Sequence, residues 1–161
     1  MPFAESIAEL NEWYFFQEFV YSRTTFRPTP QQEVELADNL IWLGDMLIAF
    51  QLKEREATPD ADEASERKWF KKKVLDQATR QVRDTLRYLT DVRSIEVRNH
   101  RDHAFQLEFE TIRVIHKLVV YLPSPRLPSD CLKSNTTLAE PPGSFMSSPR
   151  VTTLALLYSR A

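Results

Sequence analysis

The sequence has few of the residues on which many common catalytic motifs depend. Only Gly44 and Gly143 are glycines, and Cys131 is the one cysteine among 161 residues. Two glycines so far apart cannot form the glycine-rich phosphate loop of a nucleotide-binding motif. One cysteine cannot form an internal disulfide or a multi-cysteine zinc site. With no evident base beside it in the proline-rich region, the thiol is not expected to act as a nucleophile.

Long apolar runs and a basic leader are also missing. No run reaches the roughly 18 apolar residues of a membrane helix, and the N-terminus carries glutamates but no basic segment of a signal peptide. Together with the single cysteine, this predicts a cytoplasmic protein without a membrane partner. Hydrophobic residues make up 42% and charged residues 27%, which is typical of a soluble domain with its own core.

Charge is distributed unevenly along the chain. Residues 1–66 hold 4 basic and 14 acidic side chains, a balance of −10, whereas residues 67–101 hold 11 and 4, a balance of +7. Residues 102–161 add +1, which gives the net charge of −2. The middle segment can therefore offer a cationic face to a polyanion such as nucleic acid. A basic helix that is simply solvated explains the same counts.

Residues 33–54 predict a β-hairpin. Two apolar runs of strand length flank Gly44 and Asp45, and we interpret Asp45 as a turn residue. The runs are nearly continuous rather than alternating. This pattern is typical of strands covered on both faces at the centre of an α/β sheet.

The rest of the chain alternates between helical and strand patterns. Helices are predicted over residues 3–21 and, in its clear part, 68–89, and the second helix is expected to begin either at Thr58 with Pro59 or nearer Ser65. Strands are predicted over residues 94–98, 105–109 and 114–122.

Proline marks a change of character after residue 122. Six of the ten prolines fall between Pro123 and Pro149, so we expect an α/β domain over residues 1–122 and a poorly structured segment over 123–161. Residues 151–158 are apolar and fit a strand or a helix. One hypothesis for this segment is a truncated or frame-altered remainder.

Three polar side chains are expected to meet at one end of the hairpin. Asp38 opens the first strand, and Gln51 and Lys53 close the second. Because the strands are antiparallel, both ends lie away from the turn, and residues two apart point to the same face. Carboxylate and carbonyl oxygens are ligands that Mg²⁺ prefers. A neighbouring lysine can position a water and stabilise charge that develops on a phosphate.

This arrangement resembles the PD-(D/E)XK, or restriction-endonuclease-like, nuclease superfamily over residues 10–122. That family's core is a helix, three strands, a helix and a strand, in a mixed sheet flanked by helices. An acid opens its second core strand and a (D/E/Q)-x-K tripeptide closes its third. Asp38 and Gln51-Leu52-Lys53 match these positions. Gln51 stands where most members have an acid, and the first core strand is then expected in or just before residues 33–38.

The resemblance implies a metal-dependent nuclease that hydrolyses phosphodiester bonds of DNA or RNA. Asp38, Gln51 and the Leu52 carbonyl are then the ligands of Mg²⁺ or Mn²⁺, and Lys53 is catalytic. The family often adds a glutamate from its first helix, for which Glu18 is the best match and Glu12 the other choice. The equivalent helix often approaches DNA, and its candidate contacts here are Lys73, Gln77 and Arg80.

Other interpretations stay open at this point. Glu35 lies three residues before Asp38 and is assigned a structural role rather than a ligand role. The absence of an acid at Gln51 also fits a nuclease-like domain that has lost catalysis and binds nucleic acid or a partner. A third hypothesis is an interaction module without any role in nucleic-acid binding.

Overall fold

The computed structural model describes residues 2–56, 61–132 and 150–157. Its helices are α1 (Phe3–Phe15), α2 (Glu63–Trp69), α3 (Thr79–Val92) and the short α4 (Ser129–Leu132), and a π-helical segment (Phe70–Ala78) joins α2 to α3. Its strands are β1 (Val20–Arg23), β2 (Thr25–Thr29), β3 (Gln32–Glu35), β4 (Asn39–Leu43), β5 (Met46–Glu54), β6 (Ser94–Asn99), β7 (Ala104–Glu108), β8 (Val114–Leu122) and β9 (Arg150–Leu157). We call the continuous run from α2 through α3 the long helix.

Seven of the described strands form one mixed sheet. Their order is β7-β6-β1-β4-β5-β8-β9, and β2 and β3 form a separate hairpin. β4 is antiparallel to β1 and β5, whereas β8 is parallel to β5 and β9 is parallel to β8. Parallel neighbours need a crossover connection, and the long helix lies within the one between β5 and β8. The predicted α/β class, with helices flanking a mixed sheet, is confirmed.

The sheet is covered on both faces. Phe3 and Ile7 of α1 pack on one face against Val20, Ile41 and Phe50. The long helix covers the opposite face with two clusters, one around Leu89 and one around Phe70. Burial on both faces explains why the apolar runs of the central strands are continuous rather than alternating.

The predicted hairpin is confirmed. β4 and β5 pair from Asn39 with Phe50 to Leu43 with Met46, and Gly44 and Asp45 form the turn. Gly44 has φ 59°, a conformation that glycine adopts without the steric cost of a side chain.

The first helix is shorter than predicted, and the first core strand lies elsewhere. Helix α1 ends at Phe15, and residues 20–23 form β1, with Val20 paired to Ile41. The prediction of a helix to residue 21 was wrong because the sheet pairing of Val20 outweighs the helical spacing of the aromatic residues. Residues 32–35, near which the first core strand was expected, belong to the separate hairpin instead.

The long helix begins at Glu63, close to the alternative start near Ser65, extends past residue 89 to Val92, and contains a π-helical segment. It starts with Asp62 as its N-cap, whose carboxylate accepts a hydrogen bond from the Ser65 N–H at 2.9 Å. Thr58 and Pro59 lie outside the described residues. The π-helical segment buries Phe70, Val74 and Ala78 at a spacing of four, wider than the 3.6 residues of an α-helical turn.

Part of the predicted poorly structured segment belongs to the fold. β9 extends the sheet beside β8, and Leu127 and Cys131 are buried under the π-helical segment. The apolar stretch 151–158 is therefore a strand as far as residue 157. Residues 133–149 and 158–161 lie outside the described residues. No helix in the described part of the chain has the length and hydropathy needed to cross a membrane.

One side-chain hydrogen bond connects the long helix to the segment that precedes β4. The hydroxyl of Thr85 is buried and donates to the Leu36 carbonyl at 2.7 Å, two residues before Asp38. We expect Thr85→Val to lower the free energy of unfolding by about 1–3 kcal/mol because the buried carbonyl loses its donor. Urea denaturation measures this loss.

Thr90→Val is the matched control. The Thr90 hydroxyl lies on the same helix but is exposed and bonds only within its own helix, to the Leu86 carbonyl at 2.9 Å. Its replacement should change stability by less than about 0.5 kcal/mol. Equal losses in the two variants would show that the Thr85 contact has no special weight.

Candidate active site

The structure brings Asp38 and the Gln51-Leu52-Lys53 tripeptide together at the end of the hairpin away from its turn. One Asp38 carboxylate oxygen accepts a hydrogen bond from the Leu52 N–H at 2.7 Å. The Asp38 N–H donates to the Phe50 carbonyl at 3.0 Å. These two bonds fix the carboxylate against the strand that carries the amide and the amine, as the sequence predicts.

The side chains of the tripeptide alternate between the two faces of the sheet. Gln51 and Lys53 lie beside Val119 and Tyr121 of β8, which pack under the π-helical segment. The Leu52 side chain packs on the opposite face with the α1 cluster. Gln51 and Lys53 therefore share the face that the long helix covers.

The Leu52 carbonyl points toward Asp38. In an extended strand the N–H and C=O of one residue point to the same edge. Because the Leu52 N–H bonds the Asp38 carboxylate, its carbonyl also faces that edge, beyond the last ladder pair of β4 at Asn39. The Asp38 carboxylate and the Leu52 carbonyl thus lie at the same edge of β5.

The Gln51 side chain is nearly fully buried without a partner. Its exposed fraction is 4%, and its amide makes no hydrogen bond to any residue within the described ranges. It lines a cleft of about 230 Å³ together with Glu35 and Gln81, among others. The Gln81 Oε1 atom is also buried without a partner in this part of the chain. A buried amide oxygen without a donor, as at Gln81, suits a bound cation, because an unsatisfied polar group otherwise costs free energy.

Lys53 is partly buried among charges of both signs. Burial lowers the pKa of its ammonium group, the Asp38 carboxylate opposes this, the Lys73 ammonium lowers the pKa further, and Glu35 raises it. The net shift is downward. A lysine held this way gives up its proton more easily than a free one, which suits a residue that handles a proton at a reacting centre.

Glu35 joins the same cluster, although the sequence assigns it a structural role. It ends β3 and lines the cleft with Gln51. Burial raises its pKa, the Asp38 carboxylate raises it further, and Lys53 lowers it. The sequence could not reveal this because Glu35 belongs to the separate hairpin, and a turn of the chain at Leu36 and Ala37 separates it from β4.

Glu18 does not join the site. It lies in the turn before β1, and its carboxylate forms an ion pair with Arg101 at 2.7 Å in the β6–β7 turn. Since Val20 pairs with Ile41, Glu18 lies toward the Gly44 end of the hairpin, whereas Asp38 lies at the opposite end. The expectation failed because α1 ends before residue 18.

The alternative choice, Glu12, lies on α1 and also approaches the β6–β7 turn. Its carboxylate is 3.9 Å from Nδ1 of His100. Neither glutamate from the N-terminal segment therefore completes the donor set around Asp38.

The predicted nucleic-acid contacts lie along the long helix beside Lys53. Lys73 and Gln77 line a cleft of about 480 Å³ with Lys53 and Trp69. Gln77 also lines the adjoining cleft of about 440 Å³, which includes Arg80 and Arg83. Two adjoining clefts thus form one basic surface that starts at the candidate site.

The oxygen donors are fewer than in a site with three acids. Within the described residues, no group of three or more His, Cys, Asp or Glu side chains is arranged to hold a metal ion. The oxygen groups found at this end of the hairpin are the carboxylates of Asp38 and Glu35, the Gln51 amide and the Leu52 carbonyl. Comparisons with protein-family models, curated proteins and solved structures found no match to this chain.

The position of Lys53 carries a cost in stability that can be measured. Because its pKa is lower in the folded than in the unfolded state, the protein is destabilised at every pH below the folded pKa. This penalty disappears as the pH rises through the folded pKa to the unfolded value. We therefore expect Lys53→Met to raise the free energy of unfolding at pH 7, and to raise it less at strongly alkaline pH.

Lys71→Met is the control for loss of a positive charge. Lys71 lies on the same long helix but is exposed, so its replacement should change stability by less than about 0.5 kcal/mol. Thermal unfolding across a pH series provides both comparisons. A lower stability of Lys53→Met at pH 7 would contradict the assigned penalty.

Proposed function

We propose that this protein is a metal-dependent nuclease of the PD-(D/E)XK type that hydrolyses phosphodiester bonds of DNA or RNA. The observation that carries the proposal is the hydrogen bond from the Leu52 N–H to the Asp38 carboxylate. It joins the acid to the strand that carries Gln51 and Lys53. The lowered pKa of the Lys53 ammonium, whose charge interacts with Asp38, supports the same assignment.

The order of elements supports the family assignment. The family's core is a helix, three strands, a helix and a strand. In this chain α1, β1, β4, β5, the long helix and β8 follow that order, with the β2–β3 hairpin inserted after the first strand. Asp38 precedes the second strand of this series, and the tripeptide lies near the end of the third. The first core strand is therefore β1 rather than residues near 33–38.

A divalent cation fits the donor set at this site. Asp38, the Gln51 amide and the Leu52 carbonyl are the residues that would hold Mg²⁺ or Mn²⁺, and Glu35 adds a second carboxylate. Bound there, the cation would supply Lewis-acid stabilisation of the phosphate and a more acidic water. Two features of one cleft favour such an occupant: the Gln51 amide, which makes no hydrogen bond to the described residues, and the buried, unpartnered Gln81 Oε1.

Lys53 has a role that follows from its surroundings. Its ammonium group interacts electrostatically with Asp38, Lys73 and Glu35, and its pKa is lowered chiefly by burial. In its charged form it donates to a phosphate oxygen on which negative charge develops. In its neutral form it accepts a proton from the attacking water. Either role requires the Lys53 side chain to keep the position that β5 gives it.

Substrate binding is assigned to the long helix. Lys73 and Gln77 line the cleft of Lys53, and Arg80 continues the basic surface. Contacts of this kind to phosphates give affinity without sequence preference and weaken as salt is added. Part of the positive charge of residues 67–101 thus lies along these clefts, whereas Arg93, Arg98 and Arg101 pair with acids elsewhere.

A catalytically inactive binding module is the second candidate. The neutral Gln51 and the lack of a three-acid group in the described residues favour it. An inactive module would use the same basic surface, so its binding of nucleic acid would show the same sensitivity to salt. The two functions differ only in whether a phosphodiester bond is cleaved.

Cleavage of a labelled oligonucleotide with Mg²⁺ or Mn²⁺ tests the proposal. We expect wild-type protein to cut in the presence of the metal and not in EDTA. Lys53→Met and Asp38→Asn should each lower the rate by about 10²-fold or more, because each removes a group at the reacting phosphate. Lys71→Met should cut at the wild-type rate.

Two results would contradict the nuclease assignment. Salt-sensitive binding of the oligonucleotide without cleavage at any metal concentration would favour the inactive binding module. Cleavage that survives Lys53→Met unchanged would show that Lys53 has no part in it.

Glu35 supplies the charge that Gln51 lacks. A glutamine in place of an acid leaves Asp38 as the one carboxylate of the family motif. Glu35 lines the same cleft as Gln51, and its pKa is raised partly by Asp38, so the two carboxylates repel each other. A divalent cation between them would relieve that repulsion.

Metal binding without substrate tests the role of Glu35. We expect Glu35→Gln to weaken Mn²⁺ binding by about tenfold, because loss of one charge-assisted ligand costs roughly 1.4 kcal/mol. Isothermal titration calorimetry measures the affinity. Glu33→Gln is the control, since Glu33 lies on the same strand but pairs with Arg27 at 3.0 Å. Equal affinities of the two variants would remove Glu35 from the donor set.

A further inference from the structure

A group of large apolar side chains is exposed on α1 and the turn that follows it. Trp13 is 82% exposed, Tyr14 68% and Phe16 66%, and Leu10 and Phe19 are also exposed. Scattered apolar residues on a surface are ordinary, but a contiguous patch usually marks a binding surface. We call these five side chains the aromatic patch.

The patch is contiguous along the chain. Leu10, Trp13 and Tyr14 have the i, i+3, i+4 spacing of one helical face. Leu10 and Tyr14 lie three and seven residues after Ile7, so they continue toward the C-terminal end of α1 the face whose Phe3 and Ile7 are buried on the sheet. The turn then brings Phe16 and Phe19 together through a hydrogen bond from the Phe19 N–H to the Phe16 carbonyl at 3.1 Å.

The backbone at Phe16 is strained while its ring stays exposed. Phe16 has φ 62° and is not a glycine, so its side chain crowds its own backbone. Burial of the ring in the core does not compensate for this strain, because the ring lies mostly in solvent. A strained turn that holds an aromatic ring in water is better explained by a partner that covers the ring.

The charge around the patch is negative. Residues 2–22 include four glutamates and no lysine, arginine or histidine. Glu12 and Glu18 approach His100 and Arg101 of the β6–β7 turn. Glu5 and Glu9 are exposed and have no ion pair with any residue in the described part of the chain.

Nucleic acid does not fit this surface, because the glutamates repel phosphates. The basic surface of the long helix lies on the opposite face of the sheet from α1. A partner of the patch needs apolar side chains for the rings and positive charge for the glutamates. We propose that α1 and its turn are a docking surface for a cationic amphipathic helix of a partner protein.

A helical partner fits this patch because most of it lies on a helix. Leu10, Trp13 and Tyr14 lie in the last turns of α1, the turn adds Phe16 and Phe19, and Glu5 and Glu9 lie on the preceding turns. Two helices that pack side by side bury such rows against each other. Aromatic side chains with exposed rings are also the residues that most often dominate binding energy at interfaces.

The first experiment uses a 15-residue peptide of Leu and Lys in amphipathic order. Two comparison peptides are a scrambled sequence of the same composition and a Leu/Glu version of the same pattern. Titration into the wild-type protein is followed by tryptophan fluorescence and calorimetry. We expect the amphipathic Leu/Lys peptide alone to bind, with a blue shift that is lost in Trp13→Ser.

Variants separate the patch from general electrostatic attraction. Trp13→Ser with Tyr14→Ser should weaken binding at least tenfold, and Glu9→Gln should weaken it at low salt only. Phe105→Ser removes an exposed aromatic ring outside the patch and should leave binding unchanged. Circular dichroism of each variant verifies the fold.

Three outcomes would overturn this proposal. One is equal binding of all three peptides, and another is binding that survives loss of Trp13 and Tyr14. The third is a dimer without peptide that dissociates in the same double variant, measured by analytical ultracentrifugation, since the occupant would then be a second copy. None of these measurements depends on metal or on cleavage.

Discussion

The arrangement of the candidate site depends on the hydrogen bond between the Asp38 carboxylate and the Leu52 N–H. It forms where the β4–β5 ladder ends, so a side chain takes over the acceptor position that another backbone carbonyl would occupy. A charged acceptor makes a shorter and stronger bond than a neutral one. The acid is thereby fixed to β5 at the tripeptide. Everything proposed for Gln51 and Lys53 requires this placement.

The same placement has consequences for stability. Burial is the main cause that lowers the pKa of Lys53 and raises the pKa of Glu35, so the charged form of each is less favourable in the folded protein than in water. The Gln51 amide is buried without a hydrogen bond in the described chain. A fold selected only for stability would replace such groups with apolar ones. A partly buried lysine whose pKa is lowered beside a carboxylate is typical of a site that is retained for binding or chemistry.

Local patterns predicted the elements that sheet packing stabilises. The β4–β5 hairpin, β8 and the long helix follow from apolar runs, a glycine turn and a 3.6-residue period. The end of α1 could not be predicted, because Val20 satisfies the helical period as well as the strand pairing with Ile41 that the structure contains. Glu35 was missed for a similar reason. Its position depends on how the inserted β2–β3 hairpin packs, which no local pattern records, and the resemblance to the nuclease superfamily favoured a first-helix glutamate, Glu18, instead.

The most direct test of the account is the position of a bound divalent cation. Crystals soaked in Mn²⁺ give an anomalous signal that locates the ion without any assumption about activity. The account predicts a peak at coordination distance from the Asp38 carboxylate, the Gln51 amide and the Leu52 carbonyl. Saturating Mn²⁺ that leaves this position empty, or that binds only away from Asp38, would contradict it.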